Sequence, residues 1–126
     1  MFLDTLFHIV SEHISDNQAD FSVRLNPSHP IYSGHFPSDP ITPGVCVVQI
    51  AIDLFSHLRR QEYILAQAKS IKFIQIIRPR EYEQVEYRLS WEPLDDNSFT
   101  VKAVVAHNET IFSKISLTLN TLTQNK

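Results

Sequence analysis

Cysteine occurs once in these 126 residues, at Cys46. No disulfide can close within the chain, and a reducing compartment is the expectation. Positive charge is not in excess: 11 Lys and Arg stand against 14 Asp and Glu, for a net charge of −3. With no basic run either, nucleic acid is excluded as the main partner. No apolar run is long enough to span a bilayer. The N-terminus meets Asp4 before any positive charge, and its apolar stretch is broken by His8 and Ser11. That pattern fits neither a signal peptide nor a membrane span, so a cytoplasmic protein without membrane contact is expected. Repeats and low-complexity tracts are absent. What remains is one domain by length, residues 1–126, with 43% apolar content to fill a core.

Glycine is scarcer still for its usual abundance, at two residues, and both lie between Pro27 and Gly44 with five of the seven prolines. Proline fixes φ and removes a donor, whereas glycine opens conformations closed to other residues. Their concentration describes a stiff loop of defined shape. The loop carries His29 and His35 and leads directly into an apolar segment.

From Val45 to about Arg60 there is no proline or glycine, and the apolar residues Val45, Val47, Val48, Ile50, Ala51, Ile52, Leu54, Phe55 and Leu58 surround most of a helical circumference. Such a helix is buried on several sides. One stripe differs. Cys46, Gln49, Asp53 and His57 are spaced three and four apart and share a face. Buried polar groups are costly unless paired, so the stripe requires partners or a function.

Elsewhere the period is two. Met1 to Phe7 reads as a short helical turn, then His8–Ser15 and Asp20–Asn26 form a hairpin about Asp16-Asn17-Gln18. Ser70–Ile77, Gln84–Trp91, Phe99–Val105 and Ile111–Leu119 read as further strands, with turns at Pro93–Ser98 and Asn108-Glu109 and a frayed tail from Thr121. One long helix wrapped by a curved antiparallel sheet satisfies this order, an α+β arrangement.

The run Gly34-His35-Phe36-Pro37-Ser38-Asp39-Pro40-Ile41-Thr42-Pro43-Gly44-Val45 resembles the signature of the hotdog-fold 3-hydroxyacyl-acyl-carrier-protein dehydratases of fatty acid biosynthesis. Their pattern is Gly-His-Phe-Pro, two residues, Pro, two residues, Pro-Gly-Val, and every named position matches. The order of elements resembles the hotdog fold along nearly the whole chain. Arg78-Pro79-Arg80-Glu81 falls where relatives have a Pro-Gly-Asp turn, with Arg80 and Glu81 in place of glycine and aspartate.

The resemblance implies a lyase. The loop histidine, here His35, would remove the proton beside the thioester carbonyl, and an imidazole suits proton transfer near neutral pH. The backbone N–H of Gly44 would face the thioester oxygen, as a helix N-terminus favours developing negative charge. Phe36, Pro43 and Val45 would line the substrate. The family's helix acid, however, falls at Gln49, and an amide delivers no proton at neutral pH. One turn later, where relatives commonly carry glutamine, stands Asp53. Two readings stay open. Asp53 reaches the site directly, or through Gln49 or a water; or dehydration is lost and ligand binding, or another thioester reaction, remains.

The resemblance further implies an acyl-carrier-protein or coenzyme A thioester as substrate, no cofactor, and a homodimer or assembly of dimers. In such a dimer each site takes its histidine from one chain and its helix acid from the other. One helix under a small sheet also leaves apolar surface uncovered, which favours a dimer independently. An acyl-thioester hydrolase on the same fold, and a catalytically silent subunit pairing with an intact related dehydratase, are the alternatives. Among other residues, His29 is expected to shape the loop, His57 to be structural and Cys46 to be a small buried hydrophobe. No metal-ligand spacing occurs.

Overall fold

The computed structural model describes residues 2–34 and 38–122. Six strands form a single antiparallel sheet: β1 (Phe7–Ile14), β2 (Gln18–Leu25), β3 (Tyr63–Phe73), β4 (Gln84–Asp95), β5 (Ser98–His107) and β6 (Thr110–Thr121). Their spatial order is β1-β2-β4-β5-β6-β3. The sheet curves around one helix, α1 (Gly44–Arg59). This is the arrangement expected from the sequence.

The alternation read from the sequence is the alternation of the pleat. Phe21 pairs with Tyr87 and Val23 with Val85. Tyr87 pairs with Val105 and Leu89 with Ala103, and Val101 with Leu117. These inward residues share one buried core with Val47, Ile50, Ala51 and Leu54 of α1. Towards the end of α1 the core turns aromatic. The ring of Phe55, fully buried, lies 4.8 Å from Tyr63, 5.6 Å from Trp91 and 5.3 Å from Phe99 by centroids. The Arg59 guanidinium stands 4.5 Å over the Phe99 ring, a cation–π contact that closes this end.

Scarcity of glycine has a visible consequence. Among the described residues, three that are not glycine take positive φ: Asp4 (68°), Arg60 (54°) and Asn108 (53°). Arg60 ends α1 in the left-handed region, with its N–H bonded to the His57 carbonyl and that of Gln61 to the Ser56 carbonyl. The usual occupant of such a position is glycine.

Three elements differ from the sequence-based expectation. β3 begins at Tyr63 rather than Ser70 and stops at Phe73. It is an edge strand paired with β6 alone, and extra residues at Ala66 and Lys69 interrupt its register. Two bulges scramble the period-two pattern that would have announced it. β4 runs through Pro93 to Asp95. The Trp91 N–H points to the Asn17 carbonyl at the end of β2, so the nitrogen two residues later points the same way, past that end. Proline there forfeits no ladder bond. The N-terminal helical turn is instead a tight turn wound on one carbonyl: the N–H groups of Thr5, Leu6 and Phe7 lie 3.1, 2.9 and 3.2 Å from the Phe2 oxygen.

Ten of the eleven residues of β3 are exposed. Leu65, Ile71 and Phe73 share the inward face with Leu119, Ile115 and Ser113, yet remain 44%, 37% and 54% exposed. This edge is therefore the apolar surface left uncovered.

Replacing Phe55 with Ala should cost about 3–5 kcal/mol, since it empties the centre of the aromatic cluster. Urea denaturation monitored by Trp91 fluorescence checks this; a loss below about 1 kcal/mol would show that the cluster collapses without penalty.

Candidate functional site

The loop between β2 and α1 is braced from several directions. His29 caps a 3-10 turn at Pro30–Tyr32, its Nδ1 accepting from the Ile31 N–H at 3.0 Å. That bond places the ring proton on Nε2. The Phe2 ring meets His29 edge-on at 5.9 Å. Tyr32 and Thr42, both buried, share a hydroxyl hydrogen bond of 2.9 Å. Burial pushes the Tyr32 phenol up against the opposing pull of Thr42. The Thr42 N–H donates to the Ile77 carbonyl at 2.8 Å. Arg78 Nε lies 3.2 Å from each carboxylate oxygen of Asp39. The segment after β3 thus straps the loop from outside, and Arg78 is an element of that strap. His35 and Phe36 lie outside the described residues.

Where the loop ends, α1 begins on Pro43, whose φ of −60° and ψ of 144° suit an N-cap without a side-chain bond. The Pro43 carbonyl accepts from Cys46 and Val47 at 2.9 and 3.1 Å. The N–H groups of Gly44 and Val45 meet no acceptor among the described residues. No acidic side chain occupies the first turn. Two orphan donors and the positive end of the helix dipole are therefore available to an anion or a polarised carbonyl. Val45 is 76% exposed beside them. The requirement for glycine at 44 is steric. A Cβ there would come within 2.7 Å of Phe73 Cζ, so the ring from β3 lies directly on the helix start.

One and two turns along, the polar stripe finds its partners. Gln49, half-buried, donates from Nε2 to Asp53 Oδ1 at 2.9 Å. The other carboxylate oxygen of Asp53 accepts from the backbone N–H of Phe2 at 2.6 Å. Asp53 is 3% exposed. A buried carboxylate with an N–H donor on each oxygen is satisfied as an ion, and such bonds are the strong kind. It has no proton to give in that state. At the far end, His57 Nε2 pairs with Glu12 at 3.1 Å and its ring meets Phe21 edge-on. Cys46 is buried, and burial pushes its thiol up. Of the candidate residues, Pro43, Gly44 and Val45 are together at the helix start and Gln49 is joined to Asp53. The sequence did not disclose Phe73 at Gly44 or Phe2 at Asp53. Among the described residues, no group of three His, Cys, Asp or Glu could hold a metal ion, and no helix is long and apolar enough to cross a membrane.

Comparison with known proteins places this arrangement among relatives. The model of the ApeI-like family, described as ApeI dehydratase, matches residues 11–115. The 3-hydroxyacyl-[acyl-carrier-protein] dehydratase FabZ of Latilactobacillus sakei is 25% identical over a 105-residue alignment covering 78% of this chain. The chain spans 66% of that relative's length, just under two thirds. Among solved structures, the dehydratase heterocomplex ApeI:P from Xenorhabdus doucetiae superposes with a TM-score of 0.70 at 16% identity, over 90% of this chain and 96% of that one. A hypothetical thioesterase with coenzyme A from Streptococcus pneumoniae gives 0.65 at 9% identity, over 95% and 88%. These likenesses establish the hotdog fold.

Gly44→Ala should destabilise by about 1 kcal/mol, the low end for overpacking because the half-exposed Phe73 ring can swing away. In a Phe73→Ala background the same change should be neutral or stabilising, as alanine is the better helix former. A double-mutant cycle by urea denaturation reads the coupling; additive effects would remove Phe73 from the helix start.

Proposed function

Because the chain belongs to the ApeI-like family of dehydratases, we propose that it removes water from 3-hydroxyacyl thioesters to give 2-enoyl thioesters. The observation that carries this reading is the pair of N–H groups at Gly44 and Val45, which meet no acceptor among the described residues at the start of a buried helix. A thioester oxygen bound there gains stabilisation as charge develops on it, which acidifies the neighbouring C–H. His35, placed by the resemblance in the loop that enters this turn, takes that proton. The C–O bond at carbon 3 then breaks, and the departing hydroxyl leaves as water with the proton returned by the imidazolium. Gln49 holds the hydroxyl through its amide. Phe36, Pro43 and Val45 border the acyl chain. No cofactor enters this chemistry, and the carrier is an acyl carrier protein or coenzyme A.

A dedicated acid is missing from this scheme. Losing one typically costs about 10²–10⁴-fold in rate, so turnover should be slow beside that of an acid-bearing relative. The uncovered inward face of β3 supports pairing with a second subunit. The occupied carboxylate of Asp53 favours a second reading of that subunit: an acid-bearing dehydratase to which this chain contributes a half-site. A structurally similar protein is a dehydratase heterocomplex, which supports the same idea. Cytoplasmic placement and a role in fatty acid biosynthesis follow from the dehydratase reading.

Ultraviolet detection of enoyl formation from a 3-hydroxyacyl carrier thioester tests the proposal, with a thiol-trapping reagent run in parallel. Enoyl product without free thiol is expected, and His35→Ala should abolish it. Exchanging the two helix residues, Gln49→Glu with Asp53→Asn, should raise turnover by about 10²-fold by restoring an acid. Thiol release without enoyl product would establish hydrolysis instead. Activity appearing only after mixing with an acid-bearing relative would select the half-site reading.

A further inference from the structure

We infer that Asp53 is a positioning residue: it turns the Gln49 amide so that a carbonyl oxygen, not an NH2, meets the ligand. A glutamine can present either end, and its neighbours choose. An ionised carboxylate only accepts. Asp53 is buried, and its Oδ2 is committed to the Phe2 N–H at 2.6 Å. Its Oδ1 is 2.9 Å from Gln49 Nε2. The opposite orientation would set oxygen against oxygen and strip a buried carboxylate oxygen of its donor, which is among the costlier arrangements in a protein interior. The Gln49 carbonyl is therefore turned away from Asp53. It meets no donor among the described residues, and Gln49 is only half-buried.

The choice is anchored at a distance. Phe2 is held by its N–H on Asp53, while its carbonyl is the hub onto which Thr5, Leu6 and Phe7 fold their N–H groups. Because a backbone N–H cannot become an acceptor, the carboxylate oxygen facing it cannot be exchanged for a donor. The N-terminal turn thereby sets the polarity of the Asp53–Gln49 pair.

A fixed acceptor selects for a donor. A 3-hydroxyl supplies one, and donating its hydrogen to Gln49 leaves the oxygen lone pairs free to take up a proton. A 3-oxo group has no donor and would face the carbonyl oxygen unfavourably. The site should therefore discriminate 3-hydroxyacyl from 3-oxoacyl thioesters by at least about fivefold in affinity, the worth of one net hydrogen bond. That a ligand meets Gln49, and that it is a hydroxyl, rests on the proposed function; the orientation of the amide does not.

Dissociation constants for 3-hydroxybutyryl-pantetheine and 3-oxobutyryl-pantetheine, measured on the full chain, give the ratio directly. Wild type should favour the hydroxy compound by about fivefold or more. In Asp53→Asn the asparagine oxygen must still accept from Phe2, so its NH2 faces Gln49. The Gln49 amide then flips, and the preference should vanish or reverse. A parallel readout needs no ligand: the side-chain NH2 signals of wild-type Gln49, identified by their loss in Gln49→Glu. They should show one proton slowed in solvent exchange by its bond to Asp53. Equal affinities in wild type, an unchanged ratio in Asp53→Asn, or Gln49 protons exchanging like those of an exposed glutamine would each overturn the inference. If the ratio holds without enoyl product, the dehydratase reading fails and the positioning role stands. If product forms without the ratio, the reverse follows.

Discussion

The carboxylate of Asp53 is the group on which the polar side of this molecule depends. It sits in an apolar helix at 3% exposure, where an unpaired charge would be intolerable. Two donors relieve it, and they arrive from opposite ends of the problem. One is the Phe2 backbone N–H, 51 residues away in sequence; the other is the Gln49 side chain one turn back. Removing either donor strands the other half. The N-terminal turn and the polar face of α1 thus meet on one buried carboxylate, which on the inference above also sets the group offered to a ligand.

A second constraint fixes where chemistry can happen. The loop before α1 is braced within itself by Tyr32 on Thr42 and tied to the segment after β3 by Thr42 on Ile77 and Arg78 on Asp39. The exposed ion pair adds little stability on its own, but the buried bonds are costly to break. They brace the helix start, where the Phe73 ring lies over Gly44 and two N–H groups meet no acceptor among the described residues. Rigidity there is the useful property, since donors that need no reorganisation stabilise developing charge most effectively. The geometry suits a thioester oxygen whether dehydration or hydrolysis follows. What would separate the two is the group that meets carbon 3, which on the proposed function is Gln49.

Much of this was legible beforehand because period and composition carry it. Proline and glycine bracketed the loop; the run from Val45 gave the helix within one residue of its start and end; alternation gave β2, β4, β5 and β6. The stripe of Cys46, Gln49, Asp53 and His57 was visible as a polar anomaly requiring partners. Its partners were not, for a physical reason. Asp53 is satisfied by a main-chain N–H, and every residue has one, so no side-chain pattern at Phe2 announces the contact. Long-range placement hid Phe73 in the same way. Bulges at Ala66 and Lys69 erased the alternation of β3, and Pro93 disguised the end of β4 as a turn because one side of that strand is open. His35 and Phe36, the loop residues most strongly marked by the resemblance, lie outside the described residues.

The most direct measurement is nuclear magnetic resonance of the wild-type chain titrated with 3-hydroxybutyryl-pantetheine. It follows the Gln49 side-chain amide and the Asp53 carboxyl carbon together. If an amide held by a satisfied carboxylate meets the ligand, the Gln49 signals move with saturation while the Asp53 carbon stays that of an ionised group. Movement of the Asp53 carbon to the position of a protonated acid, with Gln49 unchanged, would contradict it.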